Sequence, residues 1–127
     1  MSEGFPNMFM INGPSSPSVK SNMITSIEQH VELVIDSIQH MRVAGLDLME
    51  PDLQAEDEWV DHVQMVADKT LFPQANSWYM GANIPGKPRL FMPCIAGVGS
   101  YRKTCEEIVA NGFKGFRFER PAAMVAE

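Results

Sequence analysis

Four side chains within one twenty-residue stretch carry most of the chemistry this sequence offers. From Pro73 to Met92 the chain reads PQANSWYMGANIPGKPRLFM, which holds Trp78, Tyr79, Lys87 and Arg89. An adjacent Trp and Tyr present flat apolar faces, each with one polar tip. Lys and Arg add positive charge, so the set suits closing over a flat, anionic ligand. The stretch also contains Gly81, Gly86, Pro73, Pro85 and Pro88. Connections beyond ~12–15 residues without regular structure are usually functional or disordered, and disordered segments avoid aromatics. Ile84-Pro85-Gly86 fits a type II turn, with Pro at its second position and Gly at its third. The expectation is a movable lid with an aromatic face and a cationic tip. The plainer alternative is a surface loop whose Trp78 plugs the core.

No other residues assemble into a self-sufficient catalytic set. His30 and His40 lie ten positions apart on one helical stretch, which does not place them on one metal. His62 sits beside Asp61, and solvated histidines are expected here rather than ligands. Asp57, Glu58 and Asp61 read as a wet helix face. Ser15, Ser16 and Ser18 lack the strained strand-to-helix turn of a serine nucleophile. Cys94 and Cys105, eleven apart, match no metal spacing and read as reduced, buried thiols of a cytosolic protein. Met23 is different. If Ser21 caps the following helix, Met23 falls in its first turn, where backbone N–H groups lack intrahelical partners and can donate to a ligand.

The elements that would position these groups follow from periodicity. Met8–Ile11 reads as a continuous apolar strand, of the kind buried on both faces in a parallel sheet, and Asn12-Gly13-Pro14 stops it. Ile24, Ile27, Val31, Val34, Ile35, Ile38 and Met41 form one apolar helical stripe ended by Gly45. The helix start is open: Ser16 before Pro17, Ser18 and Ser21 are all suitable caps. Residues 46–55 look acidic and irregular. A second helix is expected from about Leu53 to Thr70, with Trp59, Val63, Val66 and Ala67 on one face. Leu90-Phe91-Met92 is a short strand candidate. A third helix spans about Tyr101–Ala110, capped at Asn111-Gly112, and Gly115–Glu119 alternates as a last strand. Pro121–Glu127 reads as a disordered tail.

The chain's 127 residues suit one domain, and its net charge of −6 argues against nucleic-acid binding. No apolar run is long enough to span a membrane, and the opening residues are not a signal peptide. No metal site is expected.

The stretches GFPNMFMINGPSSPS, SNMITSIEQHVE, EDEWVDHVQMVADKTLFPQANSWYMGANIPGKPR and YRKTCEEIVANGFKGF together resemble the C-terminal part of class I Baeyer–Villiger monooxygenases, the flavoprotein family of cyclohexanone and phenylacetone monooxygenases. The SWYMGANIPGKPR block carries most of that specificity. The two GxGxxG fingerprints of such enzymes and their catalytic arginine have no counterpart here. The resemblance implies an α+β piece, a C-terminal fragment of a two-dinucleotide-domain (FAD and NADPH) α/β flavoprotein. It would have three helices, a few short strands and one long loop. Residues 1–45 would be the last strand and helix of the FAD-binding domain. Residues 46–120 would be its C-terminal segment, including an NADP-contacting control loop at 73–90.

The implied activity is an enzymatic one: NADPH reduces FAD, and the reduced flavin activates O2 for insertion into a ketone, giving an ester or lactone. By resemblance, Gly13 and Pro14 lie beside the flavin and the Met23 main chain meets its ring edge. Trp78 hydrogen-bonds NADP, and Lys87 helps with phosphate. Ser18, Val19 and Lys20 border the substrate pocket, with Lys20 departing from the apolar residue usual there. Leu90, Phe91 and Met92 lie near the substrate. No catalytic residue falls within the chain. The partners implied are a ketone, O2 and the remainder of the FAD and NADP domains, and the setting is cytoplasmic. The isolated piece is expected to be inactive, free of bound flavin and prone to aggregate. Alternatives are a segment of an N- or S-oxygenating flavin monooxygenase and a free-standing module that binds a ligand or partner.

Overall fold

The computed structural model describes residues 1–120, so the tail expected at 121–127 lies outside the described residues. Among the described residues, three α-helices and one two-stranded antiparallel sheet make up the regular structure: α1 Met23–Ala44, β1 Leu48–Pro51, α2 Leu53–Asp68, α3 Val98–Ala110 and β2 Phe116–Glu119. Single turns of 3₁₀ helix occur at Phe72–Gln74 and Trp78–Met80. Among the described residues no helix is long and apolar enough to cross a membrane.

The cap of α1 is none of the three serines but Asn22, whose side chain accepts from the Ile24 N–H at 2.9 Å. Asn is as good a cap as Ser, and its position decides the start. At the other end Gly45 has φ 65°, the Leu46 N–H bonds to Met41 O and the Gly45 N–H to Arg42 O. This pair of bonds is the Schellman stop that a glycine there permits. The same pattern closes α3 through Gly112 and Phe113.

Two strand expectations are corrected. Met8–Ile11 forms no strand: it joins no ladder, and Asn7 and Asn12, both at positive φ, bracket it. A strand needs neighbours to bond, and the described residues offer the stretch none. Leu90–Met92 is not a ladder either. Its Phe91 N–H and C=O are instead satisfied by one side chain, the Gln64 amide, at 2.9 and 2.8 Å. Conversely, the stretch read as irregular contains β1. Leu48 to Pro51 pairs with Glu119 to Phe116 in register, and the expected last strand supplies the partner. Glu50 is buried on that ladder and ion-pairs with Arg117 directly across it.

Two apolar clusters hold the elements together. Met41, Met49 and Phe113 form one, with Phe9, Leu33, Leu46, Ile108 and Phe116 against it, so residues on both sides of Gly45 share it. Ala67, Met80, Phe91 and Ile95 form the other, beneath the 73–92 loop.

The α1 stripe is the largest departure from expectation. Ile24, Ile27, Val31 and Ile35 are 38–66 % exposed, whereas Ser26, Gln29, His30 and Ser37 are buried; the later stripe residues Ile38 and Met41 do pack on the first cluster. Each buried polar group has a partner, which removes most of the cost of burying it. Ser26 and Ser37 hydroxyls donate to Asn22 O and Leu33 O. Gln29 Oε1 accepts from Arg102 Nε at 2.6 Å. Gln29 and His30 on this face meet Arg102 and Tyr101 of α3.

Candidate cofactor-facing site

The lid is built on a hydrogen-bonded frame. The Trp78–Met80 turn ends at Gly81, and Tyr79 packs towards Phe91 in the cluster below. Trp78 stays 60 % exposed, its ring 3.9 Å from that of Tyr79 between centroids. Trp78 therefore does not plug the core; Met80 and Phe91 do. The type II turn forms as expected, with Gly86 at φ 78° and the Lys87 N–H bonded to Ile84 O at 3.3 Å. The Lys87 stem lies over Gly81, where an added Cβ would sit 3.2 Å from Lys87 Cδ. Arg89 Nη1 donates to Asn76 Oδ1 at 2.7 Å and ties the two ends of the lid together.

Met92 couples the lid to the turn ahead of α1. Its N–H bonds to Tyr79 O at 3.0 Å, and its carbonyl accepts from the Ser15 N–H at 2.7 Å. Beside it the Cys94 N–H bonds to Ser16 O at 2.9 Å, and Pro17 and Cys94 form a parallel bridge. Trp59 Nε1 donates to Ser15 O at 3.1 Å from α2. These contacts place the lid and the approach to α1 on one continuous frame. None of Asn22, Gln64 or Trp59 stands out as a site residue in the sequence. Trp59 and Gln64 act through backbone contacts that only the fold creates, whereas Asn22 is a local cap.

The remaining candidates fall as follows. Gly13 O accepts from the Ser16 hydroxyl at 2.6 Å, and a Cβ on Gly13 would meet Met10 Cβ at 2.8 Å. Pro14 is exposed. Met23 is the first residue of α1; the Asn22 side chain caps the next N–H, and no acidic side chain occupies the first turn. Ser18 O accepts from the Ser21 N–H at 3.4 Å, Val19 packs on the second cluster, and Lys20 Nζ lies 5.8 Å from the Phe72 ring centroid. Leu90 is half-exposed, while Phe91 is 1 % exposed inside the chain's own core.

A cavity of about 380 Å³ lies between α1, α2, α3 and the opening segment. Gly13, Pro14, His30, Tyr101 and Cys105 line it; Met23, Trp78 and Lys87 do not. The expectation of solvated histidines fails at His30, which is 5 % exposed and edge-on to Tyr101. Its Nδ1 accepts from the Asn12 N–H at 3.2 Å. Burial, and then the nearby N-terminal ammonium, lower its pKa. Cys94 and Cys105 are buried free thiols, as expected. Burial pushes Cys105 up to about 11 and also raises Cys94 and Tyr101. Asp57, Glu58 and Asp61 are exposed, in keeping with a solvated face. Among the described residues no group of His, Cys, Asp and Glu could hold a metal.

The arrangement can present one free helix-terminal N–H, one indole and one ammonium to a ligand, without enclosing it. The chain is 42% identical over 125 residues to a Baeyer–Villiger monooxygenase of Pseudooceanicola batsensis, covering 98% of this chain and 23% of that protein. It is 41% identical over 117 residues to an acetone monooxygenase (methyl acetate-forming) of Gordonia sp., covering 91% and 22%. Cyclohexanone monooxygenase from Rhodococcus sp. Phi1 bound to NADP+ superposes with a TM-score of 0.86 at 34% identity, covering 94% of this chain and 22% of that one. The region matched is the C-terminal part of such structures. The chain thus spans about a fifth of the length of the curated relatives it matches. No protein-family model matches it.

Proposed function

We propose that this chain, a homologue of the Baeyer–Villiger monooxygenases, forms the flavin-edge and lid portion of an FAD- and NADPH-dependent enzyme that inserts oxygen from O2 into ketones. The observation that carries this reading is the frame itself. An exposed Trp78 on a folded lid is bonded through Tyr79, Met92 and Ser15 to the turn that leads into α1.

The residues fit the two cofactors at their edges. Met23 leads a 22-residue helix whose cap leaves the first N–H free, and a helix N-terminus favours negative charge. It would face an anionic ring edge of FAD, with Gly13 and Pro14 beside it. Trp78 offers one N–H and a flat face for a nicotinamide nucleotide, and Lys87 a cation for its phosphate. FAD, once reduced by NADPH, supplies the oxygen chemistry. What this chain does is position and cover: the lid excludes water from the reacting centre. Ser18, Val19, Lys20, Leu90 and Met92 would border the ketone, and Phe91 would support that wall from the core. Esters or lactones are the products on this reading. Reduced, buried Cys94 and Cys105 fit a cytoplasmic setting.

The test is a hybrid in which this chain replaces the matching fifth of the Gordonia acetone monooxygenase. Ketone-dependent NADPH oxidation with ester formation is expected. Trp78→Ala should raise the KM for NADPH by about tenfold, the equivalent of ~1.4 kcal/mol of lost contact. Because Trp78 is 60 % exposed, the variant should leave the unfolding free energy within about 0.5 kcal/mol. A flavin-loaded hybrid that forms no ester, or an unchanged KM in the variant, overturns the reading.

A further inference from the structure

We propose that His30 is a positioning residue: its neutral ring holds the turn Asn12-Gly13-Pro14 in place, and protonation of that ring lets the turn go. The inference deepens the function proposed above, which puts Gly13 and Pro14 beside the flavin, and it rests on that reading.

The turn is fixed from its two ends. On the lid side Ser15 and Ser16 are tied by several bonds. The Ser15 N–H donates to Met92 O, Ser15 O accepts from Trp59 Nε1, and Ser16 O accepts from the Cys94 N–H. On the helix side the Asn12 N–H makes one bond, to His30 Nδ1 at 3.2 Å. Between these anchors Pro14 has no N–H, and Gly13 O bonds within the turn itself, to Ser16. Asn12 sits at φ 53°, a region that a non-glycine residue keeps only where its surroundings hold it. Its side-chain amide reaches Met23 Sδ at 4.0 Å. Asn12 therefore links the turn to the start of α1 and, through His30, to a point about two turns further along that helix.

The charge on one ring decides the helix-side anchor. A neutral imidazole has one donor and one acceptor, so accepting at Nδ1 leaves its proton on Nε2. A charged ring has donors at both nitrogens. It would set an N–H against the Asn12 N–H, and the bond is lost. Asn12 Oδ1 is buried without a partner, an acceptor on the same residue that the charged ring can claim once the backbone has let go.

The ring's surroundings are set by every element packed near it. From α3 come Tyr101 and Cys105, both kept neutral by burial, with Cys105 pushed up to about 11. Arg102 beside them bonds to Gln29 of α1. Glu56 and Glu58 of α2 and Lys114 of the 111–115 link line the same cavity, and Glu56 accepts from Ser2 and Glu3. The Met1 ammonium opposes a second positive charge on the ring. Burial and that ammonium keep His30 neutral near pH 7, and acidification below the ordinary imidazole value of about 6.5 reverses this.

The experiment compares His30→Asn, whose amide oxygen falls near the Nδ1 position and does not titrate, with His30→Leu, which fills the space and accepts nothing. Each is made in the isolated chain and in the acetone monooxygenase hybrid, where a peptide bond replaces the Met1 ammonium. In the isolated chain the nitrogen shift of the Asn12 amide should inflect together with the His30 ring on titration from about pH 8 to about pH 5, and should stay flat in His30→Asn. In the hybrid the absorption and fluorescence of bound flavin should change over the same range. His30→Asn should keep the high-pH spectrum throughout. His30→Leu should show the low-pH spectrum of the unsubstituted hybrid at every pH. Its kcat for ketone oxidation should fall by about tenfold, with the KM for NADPH within about twofold. An Asn12 amide that ignores the ring overturns the inference. So does a flavin spectrum that ignores both variants, or a His30→Asn hybrid as impaired as His30→Leu with its circular dichroism intact. A spectrum that follows His30 in a hybrid oxidising no ketone leaves the positioning role standing and refutes the proposed reaction. An active hybrid indifferent to His30 does the reverse.

Discussion

Gln64→Met is the substitution that most directly tests the frame beneath the lid. The Gln64 amide supplies both hydrogen bonds of the Phe91 backbone, at 2.9 and 2.8 Å, and Phe91 is 1 % exposed. Methionine matches glutamine in length and fills the same space without either bond. It strands one N–H and one C=O away from water, at about 1–3 kcal/mol each. Taking about 3 kcal/mol in total and a urea slope of about 1.5 kcal/mol per M, the unfolding midpoint should fall by about 2 M. The loss should be local as well as global. Phe91 leads into Met92, whose N–H and C=O hold Tyr79 and Ser15, so amide exchange at residues 91 and 92 should quicken more than at α3. Urea unfolding followed by tryptophan fluorescence, with hydrogen exchange by mass spectrometry, measures both. A midpoint shift below about 0.3 M, or unchanged protection at residues 91 and 92, would refute the reasoning that one side chain stands in for a strand there.

Asn22→Ala should cost about 1 kcal/mol and fray the first turn of α1, read as faster exchange of the Ile24 amide, because the cap bond to that N–H is lost. His30 is held below its ordinary pKa by burial, so the unfolded chain binds the extra proton. Stability should therefore decline as pH falls below about 6.5, and thermal midpoints between pH 5 and 8 should lose most of that slope in His30→Gln. Cys105 at about 11 and Cys94 raised by burial predict that neither thiol reacts quickly with a disulfide reagent in the folded chain. Both should react once urea unfolds it; rapid labelling of the native chain would contradict their burial. Phe91→Ala empties the centre of the second cluster and should cost roughly 3–5 kcal/mol, whereas Leu90→Ala, half-exposed beside it, should cost under about 1 kcal/mol.

The sequence by itself determined what depends on neighbours in the chain. Three helices, the Gly45 and Gly112 stops, the Ile84–Lys87 turn and the Phe116–Glu119 alternation are local matters of periodicity and φ, and the SWYMGANIPGKPR block carried the resemblance to the Baeyer–Villiger monooxygenases. Tertiary structure decided everything that needs a distant partner. Strand β1 exists because Phe116–Glu119 lies opposite it, and Met8–Ile11 stays outside any ladder because no strand among the described residues does. Gln64 outranks any ladder at Phe91 because the fold brings α2 against that backbone. The α1 stripe is the clearest case: a hydrophobic period marks which residues share a face, but not whether this chain or another surface covers it. Burial is a property of what lies opposite, and here the bonded serines, Gln29 and His30 took the inner side.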